Sequence, residues 1–201
     1  IGDLSMGSYE VGPKQALHSS IRMIKEGRVK AVKLEGGQEM VPTISKITTA
    51  GIPVLGHIGL TPQRQNSLGG FRVQGRTSDS AYKIYQDALG LQAAGCFAIV
   101  IEAVPAEIAG RITQRLSIPT IGIGAGNGCS GQVIVQADIT GNFPPERHTP
   151  KFVKKYSNVW AESLKGILAF REESKSRNYP SEEHSYPISD EELLAFEKML
   201  D

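Results

Sequence analysis

Short runs that stay apolar almost to their last residue alternate along this chain with segments of helical periodicity, and no other feature restricts its fold as much. Val29-Lys30-Ala31-Val32-Lys33-Leu34-Glu35 ends in Gly36-Gly37, Ile52-Pro53-Val54-Leu55-Gly56 reaches His57, Phe97-Ala98-Ile99-Val100-Ile101 reaches Glu102, and Ile118-Pro119-Thr120-Ile121-Gly122-Ile123 runs into Gly124-Ala125-Gly126. Each reads as a strand. Between and before them Pro13 to Glu26, Met40 to Thr49, Asp79 to Ala94 and Ala106 to Leu116 carry helical spacing, with Gly27, Gly51 and Gly95 as stops. Strands that are apolar on both faces must be covered on both, which is the condition of a parallel sheet wrapped by helices. The expectation is an α/β protein.

A closed barrel and an open doubly wound sheet produce the same alternation, and the polar residues separate them. Asp3, Glu35, His57 and Glu102 each stand at or just past the C-terminal end of a different strand. A barrel gathers its active site from several strand ends in this way, whereas an open sheet concentrates its ligand at one switch point. Five or six strand units are legible, and a closed eight-fold barrel typically needs about 250 residues. The chain opens on Ile1-Gly2-Asp3-Leu4, which reads as the last step of a strand entering a loop, so about two N-terminal βα units are expected upstream. Residues 1–143 are expected to form the partial barrel with the active site. Residues 144–201 are expected to add a helical segment that packs on the barrel or on a neighbouring subunit, with one long helix holding Phe152, Tyr156, Val159, Leu164 and Ile167 and a short one beginning at Ser189.

With 22 basic and 21 acidic side chains and a formal net charge of +1, there is no bulk electrostatic case for nucleic acid or an anionic membrane. No apolar run approaches the roughly 20 residues a membrane helix needs. Cys96 and Cys129 lack the spacing of a metal or redox pair and read as ordinary thiols of a reducing compartment.

The strand-end residues carry recognisable chemistry. Asp3 and Glu35 offer the hard oxygen donors that Mg²⁺ accepts, and that ion usually takes further ligands from water and substrate. Taken singly, each acid is equally a solvated loop residue or a helix cap. Lys33 and Glu35 are two apart on one strand and point the same way; a lysine aimed into a barrel needs an anion to face, and an outward Lys33 with its head in water is the alternative. Glu102 ends the most apolar strand, where partial withdrawal from water makes a carboxylate a better general base. An ion pair with a neighbour would place it there as well. His57 lies in Gly56-His57-Ile58-Gly59, where glycines let a ligand approach the backbone, and it is either a donor to a substrate oxygen or a structural histidine. Gly122-x-Gly124-x-Gly126 lacks the spacing of a nucleotide fingerprint. The run from Gly69 to Arg76 is a long strand-to-helix connection, either a lid or a solvated surface loop.

Five segments in order, Val32-Lys33-Leu34-Glu35-Gly36-Gly37, Gly56-His57-Ile58-Gly59-Leu60-Thr61-Pro62-Gln63, Gly69-Gly70-Phe71-Arg72-Val73-Gln74-Gly75-Arg76, Ile101-Glu102-Ala103-Val104-Pro105 and Ile121-Gly122-Ile123-Gly124-Ala125-Gly126, resemble the ketopantoate hydroxymethyltransferase family. The resemblance spans roughly Asp3 to Tyr156 and resumes at Tyr179 to His184. It implies a (β/α)8 barrel of the phosphoenolpyruvate mutase and isocitrate lyase superfamily. The implied reaction transfers a one-carbon unit from the co-substrate methylene-tetrahydrofolate to α-ketoisovalerate, with Mg²⁺ as cofactor. It further implies Asp3 and Glu35 as metal-site residues, Asp3 and Lys33 as keto-acid contacts, His57 as a supporting contact, and Glu102 as proton acceptor. The family's further metal-binding acid, followed by serine, has no counterpart before Asp3. The longer C-terminal part resembles the fungal or another eukaryotic branch, which implies a mitochondrial location, the alternative being cytoplasmic; the family resemblance implies a homo-oligomer. Two other readings share part of this logic: a sister lyase acting on another 2-oxo acid, and a catalytically inactive barrel kept as a scaffold.

Overall fold

The computed structural model describes residues 1–64, 66 and 70–200. Among these, β1 (Gly2–Asp3), β2 (Val32–Lys33), β3 (Val54–Gly59), β4 (Ala98–Glu102), β5 (Thr120–Ile123) and β6 (Gly131–Gln132) form one sheet in chain order. Every neighbouring pair is parallel. The first four are each followed by a helix: α1 (Pro13–Lys25), α2 (Val41–Thr49), α3 (Ser78–Ala93) and α4 (Ala106–Thr113). An unreversed strand order with helical crossovers is the winding of a (β/α) barrel, since a doubly wound sheet would reverse its order at a switch point. The fold is an α/β partial barrel, as the strand-end residues predict.

Local chemistry places the helices. Pro13 occupies the first turn of α1, where its missing N–H costs nothing. Thr77 and Ser80 form a reciprocal capping box at the start of α3. The helix-facing side of the sheet is dry: Val32, Leu34, Val54, Ile58, Ile99 and Ile101 are buried in one cluster with Ile44 and Ile47 of α2 and Ala88 and Leu91 of α3. Leu55, Ala98 and Val100 form a second, smaller cluster with Ile121 and Ile123 on the opposite face.

Two expectations shift. The strand expected over Val29–Glu35 has regular pairing only at Val32–Lys33, although Leu34 N–H reaches Leu55 O at 3.4 Å and Gly36 N–H reaches His57 O at 3.0 Å. Backbone pairing therefore carries Glu35 alongside β3. The long C-terminal helix begins at Val159, not near Phe152. Asn158 caps it by accepting from Ala161 N–H at 3.3 Å, while the Phe152 ring lies where a side chain on Gly124 would have to go.

The chain divides into two compact units, residues 1–135 with 150–153 and residues 136–149 with 154–201. The second holds α5 (Gln136–Thr140), α6 (Val159–Ser176) and α7 (Asp190–Glu197). In it the Phe143 ring lies under Arg147 and Lys155 at 4.6 and 4.5 Å, and Ser189 caps α7 by accepting from Glu192 N–H. No helix among the described residues is long and apolar enough to cross a membrane.

Candidate active site

Parallel register places side chains of paired residues on the same face, so the site can be built from the pairing. Asp3 pairs with Lys33 and Lys33 with Leu55. Glu35, two residues beyond Lys33, returns to that face and lies beside His57, which is held by the bridge between Gly36 and His57. His57 pairs with Val100 and Gly59 with Glu102. Asp3, Lys33, Glu35, His57 and Glu102 thus follow one another across β1 to β4 on the face opposite the helices.

The distances make this row continuous. Lys33 Nζ donates to Asp3 Oδ2 at 2.6 Å and lies 3.7 Å from Glu35 Oε1. His57 Nδ1 is 3.7 Å from the same Glu35 oxygen, and its Nε2 is 3.2 Å from Glu102 Oε2. The Glu35 and His57 side chains are each only 3% exposed, against 52% for Asp3. Lys33 faces inward, so of its two sequence readings the paired one holds. His57 is unsatisfied: despite the short approach to Glu102, neither ring nitrogen makes a hydrogen bond of acceptable geometry among the described residues. A buried polar group without a partner costs about 1–3 kcal/mol, and such a cost is tolerated where a ligand supplies the missing partner.

Glu35 is the most constrained member. Its Oε2 accepts from Gln63 N–H at 3.0 Å, and its backbone oxygen accepts from Arg64 Nη2 at 3.3 Å. Arg64 also pairs with Glu39. Gln63 Nε2 donates to Leu4 O at 2.9 Å, and Gln63 Oε1 accepts from the Tyr9 hydroxyl at 3.1 Å. Burial pushes the Tyr9 phenol up to about 12, the Glu35 carboxylate adding to the rise. The turn after Glu35 is held from α3: Asp87 Oδ1 accepts from Gln38 N–H at 2.9 Å. A β-carbon on Gly37 would collide with the Asp87 carboxylate and force it to shift; burial raises the pKa of that carboxylate. Tyr9 and Asp87 do not stand out in the sequence, and Gln63 does so only as the end of the Gly56-to-Gln63 segment, because each acts across a long separation.

Three carboxylates against one ammonium leave the row with an anionic excess, which suits a cation. Asp3 and Glu35 already converge on a cation, the Lys33 ammonium, and hard carboxylate oxygens are the donors that Mg²⁺ accepts. Their donor chemistry fits that ion. No group of three or more His, Cys, Asp or Glu able to hold a metal occurs among the described residues.

The other motifs sit around this row. Gly69 lies outside the described residues. Beyond it, the connection is anchored where Gln74 N–H donates to Ala103 O at 2.8 Å, directly after Glu102. Gly126 packs against Ala106 at the start of α4. A cleft of about 240 Å³ is lined by Gly36, Gly37, Ile58, Gly59, Arg64 and Asp87, and so adjoins the row through the bridge of Gly36 to His57 and the pairing of Gly59 with Glu102.

Residues 1–182 match the family described as ketopantoate hydroxymethyltransferase. A 3-methyl-2-oxobutanoate hydroxymethyltransferase from Emericella nidulans is 68% identical over 201 residues, all of this chain and 58% of the relative. Proteins of the same name from Oleidesulfovibrio alaskensis and Rhodococcus jostii are 48% and 51% identical over 98% and 92% of this chain and 68% and 63% of their own lengths. The chain thus spans about three fifths of the fungal relative's length. With the family matched over most of its length, this chain belongs to the ketopantoate hydroxymethyltransferases.

Proposed function

We propose that the full protein transfers a hydroxymethyl group from methylene-tetrahydrofolate to α-ketoisovalerate, giving ketopantoate for pantothenate and coenzyme A synthesis. The observation that carries this reading is the unbroken row from Asp3 to Glu102, in a chain of this family, with a buried unsatisfied imidazole in its middle.

In this reading Asp3 and Glu35 hold Mg²⁺, whose chemistry there is to polarise the keto oxygen. Asp3 and Lys33 contact the keto acid, and the Lys33 ammonium orients it through its negative charge. The Glu102 carboxylate removes the proton from the branched carbon, and the bonding pair moves into the carbon–carbon bond as the keto group becomes an enolate. Water releases the one-carbon unit as formaldehyde, both carbon–nitrogen bonds to the folate breaking and the two water protons going to the nitrogens of tetrahydrofolate; the enolate carbon adds to that aldehyde, and its oxygen takes the proton from Glu102 to become the hydroxyl. His57, within 3.2 Å of Glu102, donates to substrate oxygen as charge develops there. The homo-oligomer and mitochondrial location rest on the family resemblance; sedimentation and organelle import of the full-length protein test them.

The deciding experiment follows the branched-carbon proton of α-ketoisovalerate in deuterated water. Wild-type full-length protein exchanges it in the presence of Mg²⁺. Glu102→Gln loses exchange and still binds Mg²⁺ and the keto acid. Exchange at the wild-type rate in Glu102→Gln overturns the assignment.

A further inference from the structure

Gln63 uses both ends of its side chain and its backbone N–H on three partners far apart in sequence. Its N–H donates to Glu35 Oε2 at 3.0 Å, its Nε2 donates to Leu4 O at 2.9 Å, and its Oε1 accepts from Tyr9 Oη at 3.1 Å. Leu4 directly follows Asp3, and its own N–H is bonded to Lys33 O at 2.9 Å. One residue after β3 therefore ties together the ends of β1 and β2, the two strands that present Asp3, Lys33 and Glu35.

The amide orientation is determined by its surroundings. Leu4 O is a carbonyl and can only accept, so the amide NH₂ must face it. The amide oxygen is left for Tyr9, which is 1% exposed and keeps its proton because burial holds the phenol near 12. The contact with Glu35 has a second consequence. Oε2 is occupied by the Gln63 N–H, while Oε1 faces Lys33 and His57 at 3.7 Å each. The two carboxylate oxygens are thereby made unequal, and one is presented to the site.

We propose that Gln63 is a positioning residue of the site: it sets the separation of Asp3 and Glu35 and leaves Glu35 Oε1 as the oxygen offered to a divalent cation. This rests on the reading above that Asp3 and Glu35 hold the ion. Gln63 touches neither substrate nor reacting atoms. Its action is felt through the geometry of the two carboxylates.

The test is Mg²⁺ titration by calorimetry on the full-length protein, with and without α-ketoisovalerate, beside thermal melting of each variant. Gln63→Leu keeps the backbone N–H but removes both side-chain bonds, and is expected to weaken Mg²⁺ binding about tenfold or more. Tyr9→Phe, which deletes one hydroxyl, gives a smaller loss of about threefold, and serves if Gln63→Leu does not fold. Thr48→Val removes a hydrogen bond of 2.7 Å to Ala94 O remote from the site, and matches the loss of melting temperature without moving Mg²⁺ affinity. If Gln63→Leu and Tyr9→Phe bind Mg²⁺ as wild type does, Gln63 has no positioning role. If wild type binds no Mg²⁺, the metal assignment of Asp3 and Glu35 fails first and takes this one with it.

Discussion

His57 Nε2 stands 3.2 Å from Glu102 Oε2 without the geometry of a hydrogen bond. Their strands place them one step out of line: His57 pairs with Val100, and Glu102 pairs with Gly59. The imidazole therefore approaches the carboxylate diagonally. A linear hydrogen bond would have tied the Glu102 carboxylate to the imidazole.

His57→Leu should separate these roles. The imidazole is nearly inaccessible and flanked by two carboxylates, so a leucine fills the space but donates nothing to a developing oxyanion. Loss of one such donor costs about 10²-fold. Proton exchange into α-ketoisovalerate should fall by about that factor with keto-acid binding nearly kept. A wild-type exchange rate in His57→Leu would leave the histidine with a packing role only.

Lys33→Met makes a prediction of opposite sign for two ligands. The ammonium and a divalent cation seek the same pair of oxygens, Asp3 Oδ2 and Glu35 Oε1. Removing it should tighten Mg²⁺ binding alone and weaken the anionic keto acid, each by about five- to tenfold, or about 1–1.4 kcal/mol. Calorimetry with each ligand separately reads both. A parallel loss for both ligands would mean that Lys33 holds the fold of the site and does not compete for it.

The row was legible in unequal parts. Lys33 and Glu35 could be placed on one face from their spacing alone, because strand alternation is local. Glu102 and His57 could be placed at strand ends because an apolar run stops there. Their approach to each other could not, since it depends on the offset between β3 and β4 and on rotamers. Gln63 closes one of the family segments, but its role was hidden for a stronger reason: its three partners lie 28, 59 and 54 residues away, and no local pattern links it to them. Helical spacing also failed at Phe152 and Tyr156, which share a period with Val159 but precede the Asn158 cap.

Gly59→Ala tests how tightly Glu102 is seated. Gly59 ends β3 at φ 87°, and a β-carbon there would collide with Glu102 O, which accepts from Leu60 N–H at 2.8 Å. Alanine must strain this left-handed backbone and also push the end of β4 away. The two effects together should cost about 2–3 kcal/mol, seen as a lower urea midpoint, and should slow proton exchange by moving Glu102. Unchanged stability would show that the strand ends relax freely.

Tyr9→Phe tests the buried phenol through pH. In the unfolded chain a tyrosine ionises near 10, while burial holds Tyr9 at about 12 in the fold. Between these values the unfolded state has lost more of its proton, so it binds fewer protons and stability falls as pH rises. The contribution is fully present below pH 10 and is lost as pH climbs through about 12. Phenylalanine has no proton to lose. At pH 8 the variant should be less stable by about 1 kcal/mol, the worth of the hydrogen bond to Gln63. That deficit should shrink above pH 10 and change sign by about pH 11 as wild type weakens, while Cys96, whose thiol burial also raises to about 12, affects both proteins alike. Urea unfolding of the two proteins at pH 8, 10 and 11 measures the difference. A deficit that stays constant across that range would mean that Tyr9 is not held neutral by the fold.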